Sequence, residues 1–344
     1  MFFEDVSGKF NIDNKRIYTS GFSGGARVAS SLAIMNGGIA GVIGCAAGFP
    51  QTEVIQKNLF YYIGIVGNED FNYLEMNDLD SYLDKSALKH QLIIFDGKHD
   101  WPPENIMEEA FLWLLVNAAK EKRATLNDSL IAESFKSLES QIGAAAKGND
   151  PLTLYQVLKK TENFYDGLED VSAYRKKLDE LQKSTGYLKY RKSESEIRRQ
   201  EYSKQQEFLK SFNNKSFNWW KNEIEGLNKL EKSKDHKISL MARRLKSYIS
   251  LGSYMNTSGA LKAGDKAATE HYLQIYRMID PWNVDFHYLT ACFYARQNNT
   301  QEALKSLHTA IELGFNDATK AREDVNLKSL QNIEEFELLL KKMK

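Results

Sequence analysis

Along the first 120 residues the apolar positions come in short runs rather than in a helical rhythm. Ile17-Tyr18-Thr19, Val42-Ile43-Gly44-Cys45, Leu59 to Val66 and Gln91 to Phe95 are rich in β-branched and aromatic residues, and each run stops at a glycine or a turn. Runs of that length and composition predict strands buried on both faces, as in a parallel sheet. Between them, Ala26 to Met35, Leu74 to Leu88 and Glu104 to Ala119 space their apolar residues as helices do. The alternation predicts an α/β layer, a partial doubly wound parallel sheet.

Beyond about Glu121 the strand-like runs stop. Leu152 to Phe164, Val171 to Leu181, Glu196 to Phe212 and His236 to Leu251 place apolar residues three and four apart among Lys and Glu, which predicts amphipathic helices. Asn149-Asp150-Pro151 supplies an N-cap followed by proline at the first helical position. The charge-rich stretch Tyr187 to Lys210 interleaves Lys and Arg with Glu, which predicts a solvated helix face rather than a groove for phosphates. Further on, Ala291 and Tyr294 lie three apart, and after Asn298-Asn299-Thr300 come Ala303, Leu307 and Ala310. This spacing, at about 265–315, resembles the tetratricopeptide repeat, whose small residues let two antiparallel helices approach and whose aromatic fills the groove between them. Asn299 with Glu302 is a capping-box candidate, and Leu273 and Tyr276 hold the corresponding places in a weaker unit before Asp280-Pro281.

Length and charge agree with this change of texture. A chain of 344 residues exceeds what one core usually organises, so two domains are expected, 1–120 and 121–344. Lys+Arg 46 and Asp+Glu 46 cancel overall, but residues 1–120 hold 9 basic and 15 acidic residues against 37 and 31 in the remainder. A balanced chain lacks the basic footprint of a protein that grips nucleic acid, and no nucleic-acid partner is expected. The least polar run, Gly37 to Phe49, is far short of the ~20 apolar residues a membrane span requires. Cys45 and Cys292 have no metal-ligand spacing and read as buried free thiols, so neither a zinc site nor a disulfide framework is indicated, and no metal or other cofactor is expected. Met1-Phe2-Phe3-Glu4-Asp5 lacks the basic region and apolar core of a signal peptide.

The chemistry-bearing residues fall at strand ends. Gly21-Phe22-Ser23-Gly24-Gly25 comes directly after the first strand and before a helix. Strand, turn and helix in that order suit a nucleophile elbow, in which Ser23 projects from the sheet and the Gly24 N–H faces a developing oxyanion. The alternative is a glycine-rich turn with an incidental serine. A serine needs a base and the base an orienting acid. The strand Leu59 to Val66 leads into Gly67-Asn68-Glu69-Asp70, where Asp70 is the first candidate for the acid and Glu69 the second. The strand Gln91 to Phe95 leads through Asp96-Gly97-Lys98 to His99, the candidate base. His90, His236, His271, His287 and His308 have no such placement and read as surface or packing residues.

Tyr18 to Arg27, the Gly67–Asp70 turn and His99-Asp100-Trp101-Pro102 together resemble the α/β-hydrolase superfamily, particularly its polyhydroxybutyrate depolymerase-like, feruloyl or acetyl-xylan esterase-like and dienelactone hydrolase-like members. The resemblance covers roughly residues 1–120. It implies hydrolysis of a small or polymer-linked carboxylic ester through an acyl-enzyme on Ser23, with His99 as base, Asp70 as orienter, and Phe22, Lys98 and Trp101 as candidates for substrate contact. Lys98 departs from the second glycine often found before the histidine. The family further implies an exported or periplasmic location. In the resembled fold the elbow follows the fifth of eight strands and a second oxyanion donor comes from a loop after the third, so about a hundred residues of strand and helix would precede Ser23. The expectation is therefore a truncated hydrolase, or a half-domain completed by another polypeptide. The competing expectation is a non-catalytic scaffold in which a degenerate hydrolase segment carries helical repeats that dock a protein partner.

Overall fold

The computed structural model describes residues 2–49, 59–148 and 150–343. After a short helix α1 (Phe2–Lys9), the chain forms β1 (Tyr18–Phe22), α2 (Gly24–Asn36), β2 (Gly41–Cys45), β3 (Tyr61–Gly67), α3 (Tyr73–Leu83), β4 (His90–Phe95) and α4 (Glu104–Lys120). The four strands are all parallel and lie in the order β1-β2-β3-β4. A doubly wound sheet reverses its strand order at some point. No reversal occurs among the described strands, as in one half of such a sheet. Both faces are nevertheless covered. Val42 and Tyr62 pack with Ala29, Ala33, Leu79 and Leu83 on the α2–α3 side. Ile43, Cys45, Ile63, Ile65 and Ile93 turn the other way, against Ala110, Trp113 and Leu114 of α4. The two central strands are buried along their whole length, which is why they read as unbroken apolar runs.

The helices after α4 change the expected domain boundary. In α5 (Asp128–Lys147), α6 (Pro151–Tyr165) and α7 (Ser172–Lys183), the residues Leu138, Ile142, Val157, Leu158, Phe164, Tyr165 and Leu178 join the same core as the sheet face under α4. The compact units are accordingly Met1–Arg199 and Gln200–Lys344, with the division inside α8 (Thr185–Ser211) rather than near residue 120. One helix covers too little of a sheet face to bury it, so the helices next in sequence are recruited. Asp150 caps α6 by accepting from the Leu152 N–H at 3.0 Å, with Pro151 in the first turn; Asn149 lies outside the described residues.

The second unit continues with α9 (Phe217–Glu231), α10 (His236–Ala263), α11 (Lys266–Ile279), α12 (Val284–Arg296), α13 (Thr300–Glu312), α14 (Ala318–Glu323), a 3-10 helix (Val325–Leu330) and α15 (Glu334–Lys342). Ala291, Ala303, Leu307 and Ala310 are fully buried between α12 and α13, as expected for small residues at a close helix approach, while Tyr294 is half-buried. Asn299 accepts from the Glu302 N–H at 3.4 Å and caps α13. Phe208, Phe212 and Trp220 form an aromatic centre with ring separations of 4.9–5.9 Å. The charge-rich α8 is not wholly solvated. Glu201 is fully buried and takes a bidentate pair from Arg244, with Nε 2.8 Å and Nη2 2.7 Å from its oxygens. Among the described residues no helix is long and apolar enough to cross a membrane.

Candidate active site

Ser23 occupies the turn between β1 and α2 with φ 52° and ψ −118°. A non-glycine residue in the left-handed region stores about 1–3 kcal/mol, which the surrounding structure must hold in place. The Ser23 N–H donates to Cys45 O at 2.8 Å, anchoring the elbow to β2, and its carbonyl accepts from Ala26 at 3.0 Å, starting α2. Gly21 is the glycine the turn demands, because a Cβ there would lie 2.2 Å from the backbone of Gly25. A Cβ at Gly24 or Gly25 would meet nothing within 4 Å, so the sequence motif overstates how many of its glycines are sterically required. The N–H groups of Gly24 and Gly25 precede the first intrahelical bond and stand at the positive end of the α2 dipole.

Asp70 and His99 are brought together by stapling the turn after β3 to the loop after β4. The Asn68 N–H donates to Phe95 O and the Glu69 N–H to Gly97 O, both at 2.9 Å, and the Asn68 side chain bonds Asp96 at 3.0 Å. Gly67 permits this approach, since a Cβ there would stand 2.3 Å from Gly97 O. The result aims Asp70, not Glu69, at the histidine. The fully buried Asp70 carboxylate lies 2.9–3.0 Å from His99 Nδ1 and also accepts the Asn72 N–H at 2.8 Å. Asn72 is held in turn by its side-chain bond to Ala46 O at 2.7 Å. Across the ring, His99 Nε2 is 3.0 Å from Ser23 Oγ.

Charge logic sets the direction of these bonds. An ionised carboxylate only accepts, so His99 Nδ1 carries the proton; in the neutral imidazole Nε2 then holds the lone pair that accepts from the serine hydroxyl. Rings enclose the histidine on two sides. Phe71 stacks on it at 4.1 Å and Phe22 lies at 4.8 Å, with Trp101 stacked on Phe22 at 5.4 Å and itself 58% exposed. Lys98 is exposed in the same loop. Phe71 and Asn72 are absent from the sequence-level candidates, although they flank the Asp70 turn and a wider window there would have included them.

A further layer braces the elbow. Arg27, in the first turn of α2, makes a bidentate pair with Glu75 of α3 at 2.7 Å, and Glu75 also accepts the Gly48 N–H at 2.9 Å. Glu75 raises the Arg27 pKa, chiefly through that hydrogen bond. Beneath the elbow, Cys45 is a buried free thiol whose pKa burial pushes up to about 12, an inert packing group rather than a nucleophile. Cys292 is likewise free and buried. Comparison with protein-family models, curated proteins and solved structures finds no match for this chain.

Proposed function

We propose that this protein is a serine hydrolase acting on carboxylic esters through an acyl-enzyme. The supporting observation is the relay Ser23–His99–Asp70, with heavy-atom separations of 3.0 Å and 2.9–3.0 Å, gathered from the C-terminal ends of three strands of one parallel sheet. In the first half-reaction His99 takes the Ser23 proton as Oγ attacks the ester carbonyl, Asp70 stabilises the imidazolium, and the tetrahedral oxyanion forms against the Gly24 N–H. Collapse expels the alcohol, which takes the proton from His99. Water activated by the same histidine then releases the acid and restores Ser23. The partly exposed Trp101 and Phe22 rings offer an apolar wall for the ester's organic group, and Lys98 a cation near it. No cofactor enters this chemistry. The resemblance to α/β-hydrolases rests on the same residues, and the helices at about 265–315 would serve as a tetratricopeptide-like docking module for a protein.

The test is labelling by a fluorophosphonate, which requires an activated serine, together with p-nitrophenyl acetate turnover. Labelling confined to Ser23 and absent from Ser23→Ala supports the proposal; equal turnover by both proteins overturns it. A second reading, a non-catalytic interaction module, draws on a different observation. Val28, Leu32 and Met35 form an exposed apolar stripe along α2, and among the described strands the neighbouring β1 pairs only with β2. Absence of Ser23 labelling in a folded protein would favour that reading.

A further inference from the structure

A cleft of about 510 Å3 opens between α4 and α5, because α5 packs chiefly against α6 rather than α4. Its walls are mainly apolar, built from Phe111 and Leu112 of α4, Leu130 and Leu138 of α5 and Phe164 of α6. Phe111 and Leu130, on the two facing helices, are 54% and 40% exposed. That size and lining are those of a small-molecule pocket. Asn105, Glu108, Ser137 and Gln141 line it as exposed residues, whereas Glu109, Ser134, Lys160 and Tyr165 are set deeper. The bonds of the deeper group have fixed directions. Because a carbonyl only accepts, the Ser134 hydroxyl donates to Ile131 O at 3.0 Å, and the Tyr165 hydroxyl must then donate to Ser134 Oγ at 2.5 Å. Lys160 Nζ lies 2.5 Å from Glu109 Oε2, but the buried Glu109 Oε1 has no hydrogen-bond partner. With both hydroxyl hydrogens spent, what the cleft holds out to a ligand is an acceptor. Its charged lining residues, Glu108 and Glu109 against Lys160, leave one negative charge in excess.

We propose that this cleft binds a small lipophilic amine, whose apolar body covers Phe111, Leu130 and Phe164 and whose ammonium donates to Glu109 Oε1. A buried carboxylate oxygen without a partner costs free energy, and an ammonium relieves that cost while neutralising the excess charge in one charge-assisted hydrogen bond. Removing the exposed Phe111 and Leu130 side chains from water supplies the hydrophobic part of the affinity. A carboxylate of the same shape would bring a second anion beside Glu109. An alcohol would donate a hydrogen but neutralise nothing, and neutral hydrogen bonds are about half as strong. Among the described residues the cleft is lined by α4, α5 and α6 and shares no residue with the relay Ser23–His99–Asp70, so amine binding stands apart from the proposed acyl transfer.

The test titrates the whole chain with 4-phenylbutylamine by calorimetry, with 4-phenylbutyrate and 4-phenylbutanol as matched probes. The amine is expected to bind at one equivalent, more than about tenfold tighter than either analogue. Glu109→Gln should cut the preference for amine over acid by more than about tenfold, a ratio that a general loss of stability does not move. Ser137→Trp, at an exposed position, should fill the cleft and abolish binding of the amine with circular dichroism unchanged, which preserves a test if Glu109→Gln fails to fold. Fluorophosphonate labelling of Ser23 should be the same with and without the amine. No amine binding, acid or alcohol binding as tight as the amine, an unchanged preference in Glu109→Gln, full binding by Ser137→Trp, or protection of Ser23 from labelling overturns the proposal.

Discussion

The two units each bury one carboxylate completely and use it in opposite ways. In the first, Asp70 meets a histidine whose far nitrogen remains open to Ser23. In the second, Glu201 meets Arg244 in a closed bidentate pair. A guanidinium never gives up its proton in a protein, so that pair has no proton to pass on. An imidazole can pass a proton and has a second donor–acceptor position, so the influence of the buried charge reaches a third group. Burial of an acid is therefore common to a structural pin and a candidate relay; the partner decides which it becomes.

The largest effects that would break this comparison are on turnover. If the proposed relay operates, Ser23→Ala or His99→Ala lowers kcat for p-nitrophenyl acetate by roughly 10⁶-fold and Asp70→Asn by about 10⁴-fold, with unchanged circular dichroism. Glu201→Gln should leave that rate unaltered, and an equal loss from it would dissolve the distinction. Next comes stability. Arg244→Met strands the Glu201 charge and should cost about 3–5 kcal/mol in urea unfolding, most of it recovered in the double variant with Glu201→Leu. A smaller effect separates the elbow's glycines: Gly21→Ala forces the turn apart and should lower turnover about 10²-fold, whereas Gly25→Ala, with open space at its Cβ, retains activity.

The smallest effect is a pH slope in the first unit. Burial, reinforced by the Lys89 charge, lowers the Lys120 pKa from 10.5 to about 8. A lysine depressed in the folded state holds fewer protons there than in the unfolded chain between those two values, so stability should rise with pH from about 8 to 10.5. Lys120→Met should flatten that part of the stability profile measured by denaturant unfolding.

The order Ser23, Asp70, His99 could be read from sequence because each residue follows a strand within a few positions, and strand ends are local signals. The choice between Asp70 and Glu69 could not, since it depends on Glu69 and Asn68 bonding to a loop nearly thirty residues away. Phe71 and Asn72 entered the site by the same stapling. His90 read as a packing residue because Asp80 and Asp84 come within reach only when α3 turns back into β4. The charge run of α8 read as a solvated face because Arg244 lies 43 residues beyond Glu201. The division inside α8 is not legible in the sequence, because amphipathic periodicity marks α5, α6 and α7 as helices without saying which core their apolar faces join.

What the sequence determined by itself was local: which segments are strands or helices, where caps fall, and which polar residues stand just past a strand. Periodicity and turn chemistry act within about ten residues, so these features needed no fold to be visible. Tertiary structure alone decided the covering of the sheet by helices as far as α7, the selection of Asp70, the necessity of Gly21, and the partners of Glu201 and His90. Each of those depends on groups distant in sequence meeting within about 4 Å, and only closure of the packed core brings them there.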